Sequence, residues 1–285
     1  MAYPTVSAPY GVLPQNLIGG QVFSGSTRQY PIAYNYNTNI FYGDLVTLGT
    51  TAGNAGYVIP ASTGASLGLG GTVGIFLGCS FTNPTTKQKQ FSQYYPANTA
   101  AGDIQAIVCD DPDTVFKMAA VVGATNTAIG SFPSKMVGLN AVVNTPSGSV
   151  STGNSGAGLI ASNSTTAVGS GGAFRILGLV PDTQIVTSCT FVSTTTTSFV
   201  VSGLAVGQVI PVGTDVFQLT GGQLQQLGVG ANVNSAATVT TTGNTTLTIS
   251  AAVTTTPTAG TTIVLVQSPE VLVKLNFGVH SYYNS

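Results

Sequence analysis

Charge is what this chain has least of. Of 285 residues, 7 are Lys or Arg and 8 are Asp or Glu, a charged fraction of 5% and a net charge of −1. Soluble domains ordinarily carry roughly 25%. Seven scattered basic residues do not build the electropositive surface that neutralises phosphates, which argues against nucleic acid as a partner. The shortage of Glu, Lys and Arg also excludes a coiled coil. High-charge disorder is excluded too, because 43% of the residues are hydrophobic and can form a core.

Other absences narrow the chemistry. Trp does not occur, His occurs once and Cys three times. His280 would have to serve any Ser–His–Asp or Cys–His triad from near the end of the sequence, a poor position for a catalytic base. Cys79, Cys109 and Cys189 are far apart and lie in apolar or Thr-rich runs. With no C-x-x-C spacing they read as small buried hydrophobes, not as disulfides or zinc ligands. G-x-G-x-x-G after a strand, G-x-x-x-x-G-K-[ST] and G-x-S-x-G are all missing. The expectation is a protein that is not an enzyme, with no catalytic residue, no cofactor and no metal.

No apolar run approaches the roughly 20 residues that span a bilayer, so no membrane partner is expected. The opening Met-Ala-Tyr-Pro-Thr has neither a basic nor an apolar signal region, which predicts synthesis in the cytoplasm.

Carboxylates cluster once, at Asp110-Asp111-Pro112-Asp113. Such a group could offer oxygens to a divalent cation, but the D-x-D-x-D-G spacing is absent. Carboxylate-pair hydrolysis of a glycan is a more distant option, and the lack of Trp removes the usual sugar platform. The favoured reading is a turn, in which Asp accepts local N–H bonds and Pro sets the backbone.

What is present points to β structure. The 36 Gly and 14 Pro residues interrupt nearly every window before a helix could form. Short β-branched and aromatic runs lie between them, the pattern of a sandwich or barrel. Strands are predicted at 21–23, 26–33, 45–48, 57–60, 72–79, 90–95, 104–108 and 115–120. A second set is predicted at 174–180, 190–192, 199–201, 209–212, 216–220, 237–241, 245–250, 262–267 and 271–277.

The organisation reads as all-β in three parts. Residues 1–20 form an extended N-terminal arm. Its prolines Pro4, Pro9 and Pro14 remove backbone donors and argue against a strand in a sheet. Tyr3, Tyr10, Leu13, Leu17 and Ile18 make it too apolar for a solvated tail. Either its own domain or a neighbouring subunit would cover it. Residues 21–183 and 269–285 form a small barrel or sandwich base. Residues 184–268 form an inserted Thr-rich β-domain, in which Asp215 is the sole charge. Lys87 and Lys89 sit at the tip of a predicted hairpin.

Several stretches carry a resemblance. They are residues 8–28 (Ala-Pro-Tyr-Gly-Val-Leu-Pro-Gln-Asn-Leu-Ile-Gly-Gly-Gln-Val-Phe-Ser-Gly-Ser-Thr-Arg), Gly43-Asp44-Leu45-Val46 and Val73-Gly74-Ile75-Phe76-Leu77-Gly78-Cys79. The Asp110–Asp113 corner and the closing Val273-Lys274-Leu275-Asn276-Phe277-Gly278-Val279-His280 complete the set. Together they resemble the capsid decoration (cement) proteins of tailed phages over 1–183 and 269–285. The resemblance implies a virion structural protein on the outer capsid surface. It would bind the major capsid protein, act as a homotrimer at local threefold axes and stabilise the head. The apolar arm and the basic hairpin tip supply the expected contact residues, Tyr3, Pro4, Tyr10, Leu13, Leu17, Ile18, Lys87 and Lys89. The other reading is an adhesin or tail-associated protein that binds host glycan through the Thr-rich domain.

Overall fold

The structure, a computed structural model, describes residues 6–61, 72–123, 128–161, 172–195, 198–227, 231–250, 253 and 256–276. It is all-β, with two short 3-10 turns at Ser134–Met136 and Pro181–Thr183. The first part of the chain carries β1 (Leu13–Leu17), β2 (Arg28–Pro31), β3 (Leu45–Leu48), β4 (Val58–Pro60), β5 (Thr72–Thr82) and β6 (Lys89–Ser92). It continues with β7 (Gln105–Cys109), β8 (Thr114–Val121), β9 (Asn140–Ala141), β10 (Val143–Asn144), β11 (Gly158–Ile160) and β12 (Phe174–Leu179). Then come β13 (Ile185–Thr194), β14 (Ser198–Ser202), β15 (Val209–Ile210), β16 (Asp215–Thr220) and β17 (Gln223–Gln226). The last are β18 (Val233–Ser235), β19 (Ala237–Thr238), β20 (Asn244–Ile249), β21 (Thr262–Gln267) and β22 (Glu270–Leu275).

Two sheets make the base. One runs β10-β11-β8-β22-β12-β9, with β1 beside β8. The other runs β2-β7-β5-β3-β4, with β6 beside β5. They pack face to face over one core, in which Phe116, Met118, Phe174, Val271 and Val273 meet Leu45, Ile75 and Cys109. The alternate residues Val46, Phe76 and Val108 point the other way, into a second core with Ile32, Ile40, Tyr95 and Ile104. Strand β5 is therefore buried on both sides along most of its length, which explains its nearly continuous apolar run.

The insertion leaves the base after β12 and returns at β22. These two strands are antiparallel neighbours, Phe174 opposite Leu275, so an inserted sheet does not disturb their pairing. The inserted strands form an antiparallel sheet, β17-β16-β21-β13-β14-β20-β18, with the pair β15-β19 beside it. Its core, from Cys189 to Leu265, includes Phe191, Phe199, Ile210, Leu227 and Leu247. In β20 burial alternates strictly, with Thr245, Leu247 and Ile249 inside and Asn244, Thr246 and Thr248 outside. That is the period of a half-buried sheet whose open face is solvated by hydroxyls and amides.

The N-terminal segment corrects the expectation of an arm outside the sheets. Leu13–Leu17 is a strand, antiparallel to β8, with Leu13 opposite Lys117 and Leu17 opposite Thr114. Pro14 is tolerated because β1 is an edge strand, where its missing N–H interrupts no inner ladder, and the register shifts just after it. The predicted strand at 21–23 contributes only the bridge from Val22 to Asn16. The strands β9, β10, β11, β17 and β18 match no predicted strand, and β13 extends well before the predicted 190–192.

Candidate functional site

The sequence-predicted contact residues fall into two groups at opposite ends of the base. The first group belongs to the N-terminal segment. Val12 is fully buried, and its N–H donates to the Gly43 carbonyl at 3.0 Å. Gly43 has φ +87°, and a Cβ there would come within 2.8 Å of the Val12 nitrogen, so only glycine admits the segment. Tyr10 is half-buried, and its hydroxyl donates to Glu270 Oε1. Lys117 Nζ lies 3.4 Å from the same oxygen and 5.8 Å from the centre of the Tyr10 ring. Burial, then the bond to Glu270, raises the Tyr10 phenol far above its usual range. Glu270 is buried, and its Oε2 makes no hydrogen bond among the described residues. Tyr10, Glu270 and Lys117 thus fasten the segment to β8 and β22.

Leu13 and Leu17 are half-buried in β1. The turn that follows is open, with Ile18 53% and Val22 81% exposed. Ile18 N–H donates to the Asp113 carbonyl, so this apolar turn abuts the acidic corner. Tyr3 and Pro4 lie outside the described residues, as does His280.

The corner itself is a turn. Asp110 is buried, 3.3 Å from Arg28 Nε, and accepts from the Tyr30 hydroxyl at 2.8 Å. Burial and Asp110 push the Tyr30 phenol up to about 12. Asp111 Oδ1 accepts from the Asp113 N–H at 2.9 Å. The carboxylates of Asp110 and Asp111 therefore have different tasks, one pairing with Arg28 and Tyr30 and the other closing the turn. Among the described residues no group of three His, Cys, Asp or Glu is placed to hold a metal ion. A cleft of about 610 Å³ opens between residues 25–28 and 110–112.

The second group lies past the other end of β7. The loop between β5 and β6 is organised by Asn83, whose Oδ1 accepts from the N–H groups of Thr85 and Thr86. Lys87 is exposed, with a left-handed φ of 60°. Lys89 reaches Asp103 at 2.9 Å. The Thr82 N–H, then Lys89, hold the Asp103 carboxyl well below the ordinary range. Strand β7 has five residues, on the order of 17 Å at about 3.4 Å each, and its length separates this tip from the Ile18 turn. Phe91, 78% exposed on β6, belongs to the tip end.

The three cysteines are buried and free. Burial pushes Cys79 and Cys189 up to about 12 and Cys109 to about 11, so these thiols behave as small hydrophobes.

One cluster was not singled out from the sequence. Asp215, on β16, accepts from the Ser134 N–H at 2.8 Å. The neighbouring Lys135 reaches Asn232 Oδ1 at 2.8 Å, and Asp215 faces Asn232 across an isolated bridge. Gly213, φ +86°, presses so close that a Cβ would stand 1.7 Å from the Ser131 carbonyl oxygen. This is the joint between base and insertion. The signal available in the sequence was that Asp215 is the only charge in residues 184–268.

No family of known proteins, no curated protein and no solved structure matches this chain.

Proposed function

We propose that the chain is a capsid decoration protein, which binds the assembled major capsid lattice from outside and stabilises the head as a homotrimer at local threefold axes. One observation carries the reading: the segments that resemble such proteins are scattered along the chain, yet they touch one another. Val12 bonds to Gly43. Gly43 and Asp44 exchange backbone bonds with Phe76 of β5. Ile18 bonds to Asp113, and Lys274 lies opposite Val115, just beyond that corner. The resemblance therefore gathers into one two-sheet body. The stretch it omits, 184–268, folds into a different sheet with its own core.

The surface supports the same reading. A charge-poor base with an exposed apolar turn at Ile18 and Val22 is suited to being covered by neighbours, where unpaired charges would be costly. Each contact would be weak alone, and three linked copies would raise the avidity. The inserted domain would project away from the shell. No chemical step is required.

The test is to mix the purified protein with expanded capsids that lack it and to image the particles. High occupancy on threefold axes is the expected result. Absence of binding overturns the proposal. Attachment at low copy number to the tail, together with binding to host cells, would favour the adhesin reading instead.

A further inference from the structure

The geometry points to an intramolecular isopeptide bond between Lys135 Nζ and Asn232 Cγ, formed with Asp215 as the proton-transfer group. It would tie the base to the inserted domain, and it does not depend on whether the protein sits on a capsid.

The amine and the carboxamide are already hydrogen-bonded to each other. Lys135 Nζ is 2.8 Å from Asn232 Oδ1, and the carboxamide carbon lies one C=O bond, about 1.23 Å, behind that oxygen. The same oxygen accepts from the Ser250 hydroxyl. When the amine turns from donor to nucleophile, Ser250 remains as a donor where negative charge develops. Asn232 is fully buried and Asp215 is 3% exposed. The Lys135 residue is at the surface, with its amine directed inward onto Asn232.

The frame around the cluster is rigid. Val233 N–H donates to the Thr214 carbonyl at 2.8 Å, and Val216 N–H to the Ala231 carbonyl at 3.2 Å. These bonds flank the bridge and hold Asp215 opposite Asn232. One carboxylate oxygen, Oδ2, is occupied by the Ser134 N–H. The other, Oδ1, is buried and makes no hydrogen bond. A buried carboxylate oxygen without a partner is destabilising and is the natural acceptor for a proton in transit.

The electrostatic shifts run in the direction the reaction needs. Burial raises the Asp215 carboxyl and lowers the Lys135 ammonium. Both shifts favour a neutral acid beside a neutral amine. The amine attacks Asn232 Cγ, the N–C bond forms and the carbonyl π bond opens. Asp215 gives its proton to the departing Nδ2 and takes one from the attached Nζ. The carbonyl reforms, the Cγ–Nδ2 bond breaks and ammonia leaves. An amine and a primary amide become a secondary amide and ammonia, with no oxidant or cofactor. The proximity of the two groups replaces an encounter in solution.

The experiment is mass spectrometry on the purified full-length protein. The folded wild type should be lighter than its sequence by the mass of one ammonia. Proteolysis should release a branched peptide that contains both residue 135 and residue 232. Lys135→Arg and Asn232→Ala should restore the full mass, and so should Asp215→Ala. Lys135→Arg leaves the buried Asp215 and Asn232 intact, so it serves if Asp215→Ala does not fold. A folded wild type of full mass overturns the proposal. So does an ammonia loss confined to residue 232, which is cyclisation of the asparagine alone.

Discussion

The base and the insertion are both β structures, antiparallel except where β11 runs parallel to β8 in the base, yet they use charge and burial in opposite ways. In the base, β5 is covered on both faces, and the few charges are held in pairs such as Arg28 with Asp110, Lys89 with Asp103 and Lys117 with Glu270. In the insertion, strands such as β20 keep one face open and solvate it with Thr and Asn. Its single charge, Asp215, points back at the base. A sheet covered on both sides must satisfy the few charges it holds. A sheet with an open face needs none, because hydroxyls hydrogen-bond to water without the desolvation cost of an ion.

The largest test of that contrast concerns the joint. If Lys135 and Asn232 are covalently linked, the link spans 97 residues, and closing such a loop in the unfolded chain stabilises by about 4–5 kcal/mol. Lys135→Arg should remove that amount and separate the unfolding of the two parts, as followed by calorimetry. A single unchanged transition would show that the parts are coupled in another way.

The base and the insertion should then respond separately. Phe116, edge-on to Phe174 at 6.2 Å, anchors the base; Phe199, 4.9 Å from Phe191, anchors the insertion. Truncation of either to Ala should cost about 3–5 kcal/mol. Hydrogen exchange should show the loss in its own domain only. If Phe199→Ala exposes β8 and β22 as much as β13 and β14, the separation of the insertion's core from the base fails.

The N-terminal attachment is a smaller effect. Tyr10→Phe removes the donor to Glu270 in a buried setting, and should destabilise the base by about 1–3 kcal/mol. The insertion should be unaffected, a difference that denaturant titration with domain-specific probes can read.

Acid–base behaviour sharpens the picture within the base. Burial raises the Asp44 carboxyl above 3.8. The folded state therefore holds this proton more tightly than the unfolded state. The stabilisation it brings is complete below that value and is lost as pH rises through the raised one. Asp103, whose folded value is lowered, contributes with the reverse sign and loses its part as pH falls. The difference between wild type and Asp44→Asn isolates the first slope; if the two proteins change in parallel with pH, Asp44 is not its source. Smallest of all, Lys89→Ala should leave the thermal midpoint unchanged, because an exposed ion pair contributes little.

Much of the fold was legible. The all-β class followed from Gly and Pro density and short β-branched runs, and the inserted sheet lies where the charges run out. The site was less so. Pro14 read as a breaker, yet an edge position suits it, and only the sheet makes that position an edge. Ile18 was singled out and is exposed. Lys87 and Lys89 were singled out with it, but they occupy the far end of β7. Lys135, Asp215 and Asn232 have no motif spacing, because their meeting is made by a 3-10 turn of the base, the first residue of β16 and the bridge residue just before β18.

The sequence by itself determined the all-β class, because periodicity, turn residues and charge density act locally along the chain. The tertiary structure decided which groups meet. It seated Val12 against Gly43, fastened Tyr10 to Glu270 and brought Lys135 onto Asn232 beside Asp215. Those encounters depend on strand pairing over long separations, and no local pattern encodes them.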